Sequence, residues 1–139
     1  MLACVTLTSA CGGSSRSLSQ LRSQATRVCA TADRRLERIG RTAPASGGEP
    51  FLKRGTVVLH RELTQLRALR VPADGADAYH RALGALAAEL TLLRQAVSAL
   101  DRQGDPVIVF RRLARSLGPL ESRANAAWQD LKVPACMSG

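Results

Sequence analysis

A heptad rhythm of apolar side chains between residues 79 and 100 constrains the fold of this chain more than any other feature. The stripe recurs at alternating spacings of 4 and 3, through Tyr79, Leu83, Leu86, Leu90, Leu93, Val97 and Leu100. This pattern is typical of a helix that packs along its length against other helices. Because one stripe cannot bury itself in water, the rest of the chain must supply partner helices.

Two partner helices are predicted before this stripe. The first covers residues 17–39 and ends at Gly40, the residue type that most easily adopts the left-handed conformation of a helix terminus. The second starts near residue 50 and stops before Pro72. Between them, residues 41–50 are rich in Pro, Gly and Ser without apolar periodicity, which predicts a loop.

The helix that carries the central stripe is predicted over residues 74–102. Asp74 is its predicted N-cap, and Asp77 lies in the first turn, where the helix dipole favours a carboxylate. No uninterrupted apolar run reaches the roughly 18 residues that a membrane-spanning helix requires. A spanning helix is therefore not expected.

The fourth helix has the clearest start signal in the sequence. Gly104 is the predicted stop of the preceding helix, Asp105 the N-cap and Pro106 the first helical residue. Val107 is its first predicted core position, and Pro119 predicts a kink. Four amphipathic helices with two short connections predict an all-α fold, an up-down-up-down antiparallel four-helix bundle.

The N-terminal segment has a different composition. Residues 1–15 contain no charge, and Leu7-Thr8-Ser9-Ala10-Cys11-Gly12-Gly13-Ser14-Ser15 places small residues before a cysteine and a Gly/Ser run after it. This arrangement resembles the end of a bacterial lipoprotein signal peptide. The resemblance implies that Cys11 becomes the lipidated (diacylglycerol, palmitate) N-terminus, anchored to the outer face of the cell membrane.

Residues 1–16 are accordingly predicted to be a signal remnant and flexible tether, and residues 17–139 the bundle domain. The alternative is an unprocessed tail in which Cys11 is incidental.

Two cysteines remain if Cys4 is removed with the signal and Cys11 is lipidated. An even pair in an exported domain predicts a disulfide between Cys29 and Cys136. Cys29 lies about 18 Å along the first helix, whereas the residues after Leu131 reach about 16 Å when extended. Closure therefore requires that the tail folds back, that the fourth helix ends early or that the first starts late. The alternative is two free thiols in a cytosolic protein.

Several short segments are similar to a set of exported helical proteins from GC-rich actinobacteria. The segments are Val28-Cys29-Ala30, Ala32-Asp33-Arg34-Arg35-Leu36, Leu66-Arg67-Ala68-Leu69 and Leu131-Lys132-Val133-Pro134-Ala135-Cys136. The resemblance implies an exported helical domain and carries no activity with it.

Residues for catalysis or cofactor binding are scarce. Glu62, Glu89 and Glu121 are isolated along the chain, whereas a di-metal bundle site needs paired Glu-x-x-His motifs. One Asp-x-x-His pair, Asp77 with His80, is more simply a helix-start carboxylate and a surface histidine. No phosphate loop or nucleophile motif appears. The sequence thus predicts no catalytic residue, metal or cofactor, and a non-enzymatic protein.

The formal net charge of +9 favours anionic partners. A basic patch is predicted at one end of the bundle, formed by Arg34, Arg35, Arg38, Arg41, Arg111, Arg112 and Arg115. Anionic envelope polymers or lipid head groups would suit it, although a solvated surface that its charge keeps soluble is the simpler explanation. A cytosolic nucleic-acid-binding protein is the alternative, disfavoured because no recognition-helix turn or stacking aromatic accompanies the arginines.

Overall fold

The computed structural model describes residues 17–42 and 48–138, in which four long α-helices account for most of the chain. They are α1 (Leu18–Thr42), α2 (Gly48–Arg67), α3 (Ala76–Asp101) and α4 (Pro106–Leu131). Single 3-10 turns, Ala73–Gly75 and Pro134–Cys136, precede α3 and follow α4. Each helix packs on the next one in the chain, which confirms the predicted all-α four-helix bundle.

The connection between α3 and α4 follows the sequence signals in part. Asp105 caps α4 as predicted, since its Oδ1 accepts hydrogen bonds from the Val107 amide at 2.8 Å and the Ile108 amide at 3.4 Å. The predicted stop at Gly104 is wrong, because Gln103 takes the left-handed conformation (φ 62°). Gly104 is needed for space instead: a Cβ there would lie 2.8 Å from the Ala99 carbonyl oxygen.

Three other helix boundaries differ from those predicted. Gly40 does not stop α1, which continues to Thr42, and α2 already begins at Gly48, so the predicted 41–50 loop is shorter at both ends. Asp74 does not cap α3 but lies in the preceding 3-10 turn, and Gly75 occupies the N-cap position without a side-chain bond. Gly75 is buried so close to Leu18 that a Cβ would approach its Cδ1 to 2.7 Å, so packing against α1 decides this start.

The apolar interior forms two clusters, one at each end of the bundle. The larger lies where α1 begins and α4 ends; we call this the disulfide end, and Leu21, Leu66, Tyr79 and Trp128 are among its most buried residues. The smaller lies where α1 and α3 end and α2 and α4 begin; we call this the open end, and its buried residues are Leu52, Ala96, Leu100 and Leu113.

The central stripe behaves as predicted. All seven positions from Tyr79 to Leu100 are buried or half-buried and belong to one cluster or the other. The prediction for Val107 is wrong, since 62 % of this residue is exposed at the start of α4. The helix α4 runs without a break through Pro119, whose missing N–H removes one backbone bond from it.

Among the residues that the structure describes, one stretch is apolar enough to cross a membrane by length and composition, contrary to the sequence expectation. It covers Ala73–Asp101, with a best window of mean hydropathy 1.3. Tyr79, Leu86 and Leu90 of this stretch are buried against the other helices. The core helix of a soluble protein meets the same criterion, so the finding is weak evidence for a span.

Candidate functional site

The cysteine pair confirms a sequence prediction. Cys29 and Cys136 are at disulfide-bonding distance, with their Cα atoms 5.1 Å apart. The tail folds back to achieve this, because Lys132 ends α4 in the left-handed conformation (φ 58°) and the next 3-10 turn packs on α1. Asn125 then fixes the reversed tail: its Oδ1 accepts from the Ser138 amide at 2.9 Å and its Nδ2 donates to the Ser138 carbonyl at 3.0 Å.

Further bonds close the disulfide end. The Tyr79 hydroxyl donates to the Leu66 carbonyl at 2.7 Å, and its ring meets the Trp128 ring edge-on with centroids 5.8 Å apart. Burial raises the pKa of Tyr79 above its usual value, so the hydroxyl stays a donor. The Arg22 guanidinium donates to the Leu131 carbonyl at 2.7 Å, which ties α1 to the end of α4. These bonds join α2 to α3 and α1 to α4 at the disulfide end.

A row of carboxylates lies at the junction of the two clusters. Its members, one from each helix, are Asp33, Glu62, Glu89 and Glu121, and we call it the carboxylate layer. Glu89 Oε1 is buried and has no hydrogen-bond partner among the described residues. Burial, reinforced by the charges of Asp33 and Glu89, raises the pKa of Glu62 to about 7. Burial, together with the Glu121 charge, raises the pKa of Glu89 to about 7.

These glutamates are isolated along the sequence, but they are not isolated from one another in the folded chain. They are distant in sequence, but the bundle brings their charges within reach of each other. One feature of the sequence indicates that these carboxylates lie near the core. Glu62 directly precedes the core residue Leu63, and Glu89 directly precedes the core residue Leu90. Within residues 17–42 and 48–138, no three His, Cys, Asp or Glu side chains are placed to hold a metal ion, and Asp77 with His80 is no exception.

The seven predicted basic-patch arginines all lie at the open end. Arg34, Arg35, Arg38 and Arg41 occupy the second half of α1, and Arg111, Arg112 and Arg115 the first half of α4. In the described part of the chain, ion pairs involve Lys53 and Arg81 but none of these arginines. The two groups share an end, although α1 and α4 do not pack extensively along each other and no α1 residue belongs to the open-end cluster. Their role in binding stays a prediction.

A groove between α3 and α4 is the feature that sequence reasoning missed. It has a volume of about 480 Å³ and lies at the open end. Arg112 of the predicted patch lines it, together with Arg102, which was not predicted. The signal in the sequence was a pair of small residues, Ala96 and Ala99, on one face of α3 where a close-packed bundle would carry larger side chains.

Cys11 and the whole predicted tether, residues 1–16, lie outside the described residues. No protein-family model matches the chain, and no curated protein or solved structure matches it either. The case for a function therefore depends on the geometry above and on the sequence.

Proposed function

We propose that this chain is a non-enzymatic, lipid-anchored module of the bacterial cell envelope that binds or organises an anionic component. The observation that carries the proposal is the Cys29–Cys136 pair. Disulfides persist in oxidising, extracytoplasmic compartments and are rare in the cytosol. A cysteine pair at bonding distance therefore favours export, which the segment before Cys11 also predicts.

The position of the tether suits this arrangement. Because α1 begins at the disulfide end, a lipid on Cys11 would attach that end to the membrane. The 25 residues of α1 span about 37 Å. The arginines and the groove at the open end would then face away from the anchor, toward other envelope components.

The test is an intact mass of the protein from the membrane fraction of a bacterial host, measured without reductant. We expect a chain that begins at Cys11, carries diacylglycerol and an acyl group, and has both later cysteines oxidised. Cys11→Ala should abolish membrane retention, whereas the matched control Cys4→Ala should leave it unchanged. A soluble cytosolic chain with free thiols at 29 and 136 would refute the proposal.

The alternative function is nucleic-acid binding by a cytosolic protein. Its support is that the seven arginines at the open end make no ion pair with any described residue. Replacing Arg34, Arg35, Arg111 and Arg112 together by Gln should weaken retention on a polyanion column if the patch binds polyanions. Unchanged retention would eliminate the patch, and with it the alternative.

A further inference from the structure

The α3–α4 groove has an apolar floor. Leu92 and Ala96 line it from α3, and Val109 and Leu113 line it from α4. Ala96 and Ala99 have small side chains, and Gly104 in the turn after α3 has none. The side chains of the two helices therefore leave the space between the helix axes unfilled. Its volume of about 480 Å³ falls in the range of small-molecule sites, about 300 to 1,000 Å³.

The margin of this groove leaves large apolar groups in water. Ile108, which lines it, is 56 % exposed, and the adjacent Val107 is 62 % exposed. Of these two residues only Ile108 lines the groove, because consecutive residues of a helix point in different directions. The exposed Ile108 side chain extends the apolar floor at its edge.

The charges around the groove are predominantly positive. Arg102 and Arg112 line it and are exposed, and neither forms an ion pair within the described chain. Asp105 is the one acidic residue among its lining residues, and its carboxylate accepts from the first amides of α4. That helix N-terminus offsets the negative charge of Asp105. Arg102 Nη1 donates a hydrogen bond to Ser98 Oγ, and the other N–H groups of the two guanidiniums have the fork geometry that matches a phosphate.

We propose that this groove binds an acyl lipid with a phosphate head, its chain on the apolar floor and its phosphate at Arg102 and Arg112. The inference rests on the proposed envelope function, and because the groove would face away from the anchor, its occupant would be a single lipid molecule withdrawn from the bilayer. A macromolecular partner fits less well, because a stable protein interface buries about 1,600 Å² in total, whereas this groove is of small-molecule size.

The experiment uses the full chain as Cys11→Ala, so that no attached lipid competes. Three probes are titrated calorimetrically below their micellar concentrations: dodecyl phosphate, dodecyl maltoside and inorganic phosphate. We expect dodecyl phosphate to bind at least tenfold more tightly than either of the others, because only it carries both the chain and the charge.

Variants assign the binding to the groove. Arg102→Gln with Arg112→Gln should weaken dodecyl phosphate about tenfold, to the level of the maltoside, through loss of two charge-assisted contacts. The matched control, Arg27→Gln with Arg70→Gln, removes the same charge from exposed positions at the disulfide end and should change nothing. Ile108→Ser should weaken both amphiphiles, and circular dichroism would verify that each exposed-site variant folds.

Three outcomes would overturn the inference. Equal binding of inorganic phosphate and dodecyl phosphate would indicate a simple anion site. An equal loss of affinity in the control pair and the groove pair would indicate non-specific charge attraction. A dimer in sedimentation that Ile108→Ser disperses and dodecyl phosphate does not would indicate that a second copy occupies the groove. Membrane anchorage through Cys11 is measured separately, so failure here leaves the proposed function standing.

Discussion

The two ends of the bundle use the same four helices but are closed in different ways. At the disulfide end, α1, α2, α3, α4 and the returning tail all contribute to one cluster, and the large rings of Tyr79 and Trp128 fill its centre. At the open end the cluster has members from α2, α3 and α4 but none from α1, and Val107 and Ile108 remain in water.

The difference indicates that the two ends have different roles, one in stabilising the fold and the other in binding. Dense packing and a covalent tie concentrate the free energy of folding at the disulfide end. The open end keeps the exposed side chains of Val107 and Ile108 and a group of arginines, which are features that recognition uses. Binding regions generally belong to the less stable parts of a protein. Where every polar and apolar group already contacts the rest of the chain, none is free to contact a ligand.

The largest expected effect comes from removing the disulfide. The bond closes a sequence separation of 107 residues, and the chain-entropy estimate for such a loop is about 4 to 5 kcal/mol. Cys29→Ala with Cys136→Ala should lower the free energy of unfolding by about 2 to 5 kcal/mol, measured by urea titration with circular dichroism.

Reduction of the wild type with dithiothreitol is the control for this variant, since it breaks the bond without changing the side-chain volume. Both treatments should move the urea midpoint in the same direction. An unchanged midpoint after both would mean that the disulfide end does not depend on its covalent tie.

A matched leucine pair on α2 compares the two clusters directly. Leu66 is 0 % exposed in the disulfide-end cluster, and Leu52 is 7 % exposed in the smaller open-end cluster. Truncating a leucine costs more where the surroundings cannot collapse into the cavity, so we expect Leu66→Ala to cost about 4 kcal/mol and Leu52→Ala about 2 kcal/mol. Chemical denaturation of both variants measures the difference. Equal losses, or a larger loss at Leu52, would contradict the proposed contrast.

The carboxylate layer between the two clusters predicts a pH dependence. The pKa of Glu62 is raised from 4.5 to about 7 in the folded chain. The folded state therefore holds a proton that the unfolded state releases between these values, so the stabilisation is complete below about pH 4.5 and is lost as the pH rises through 7. Each pKa unit corresponds to about 1.4 kcal/mol. After allowance for solvent screening, we expect a loss of about 2 kcal/mol from this group between pH 5 and pH 8.

Glu62→Gln should remove this dependence while retaining the shape of the side chain. Relative to the wild type, the variant should be nearly neutral at pH 5 and stabilising at pH 8, measured by urea unfolding at each pH. Taking the difference between the variant and the wild type cancels the titration of groups that do not interact with Glu62. Glu37→Gln, at an exposed position of α1, is the control. A variant whose advantage is the same at both pH values would show that Glu62 does not carry a displaced pKa.

Local chemistry explains the sequence predictions that succeeded. The stripe from Tyr79 to Leu100 lies on one face of α3 by helical geometry alone, whatever surrounds it. The cap at Asp105 depends on a side chain and two amides within three residues, so its partners are fixed by the sequence. Such features need no knowledge of neighbouring helices.

The predictions that failed depended on neighbours. Gly40 has the backbone freedom to end α1, yet the helix continues past it. Gly75 lies at the start of α3 because its close contact with Leu18 leaves no room for a side chain. The carboxylate layer could not be predicted from the sequence positions of Glu62, Glu89 and Glu121, because their interaction depends on how the helices align. The groove likewise depends on the separation of two helix axes, which side-chain packing sets.

By itself, the sequence determined that the chain is all-α and that four apolar stripes must meet in a bundle, and it predicted that Cys29 pairs with Cys136 if Cys4 is removed and Cys11 is lipidated. Periodicity, caps and cysteine arithmetic are properties of short segments and of composition. Only the tertiary structure decided that the tail turns back to close one end, and that the other end keeps a groove with arginines at its margin. The register and spacing of whole helices arise from many weak contacts between distant segments, and no single stretch of sequence encodes them.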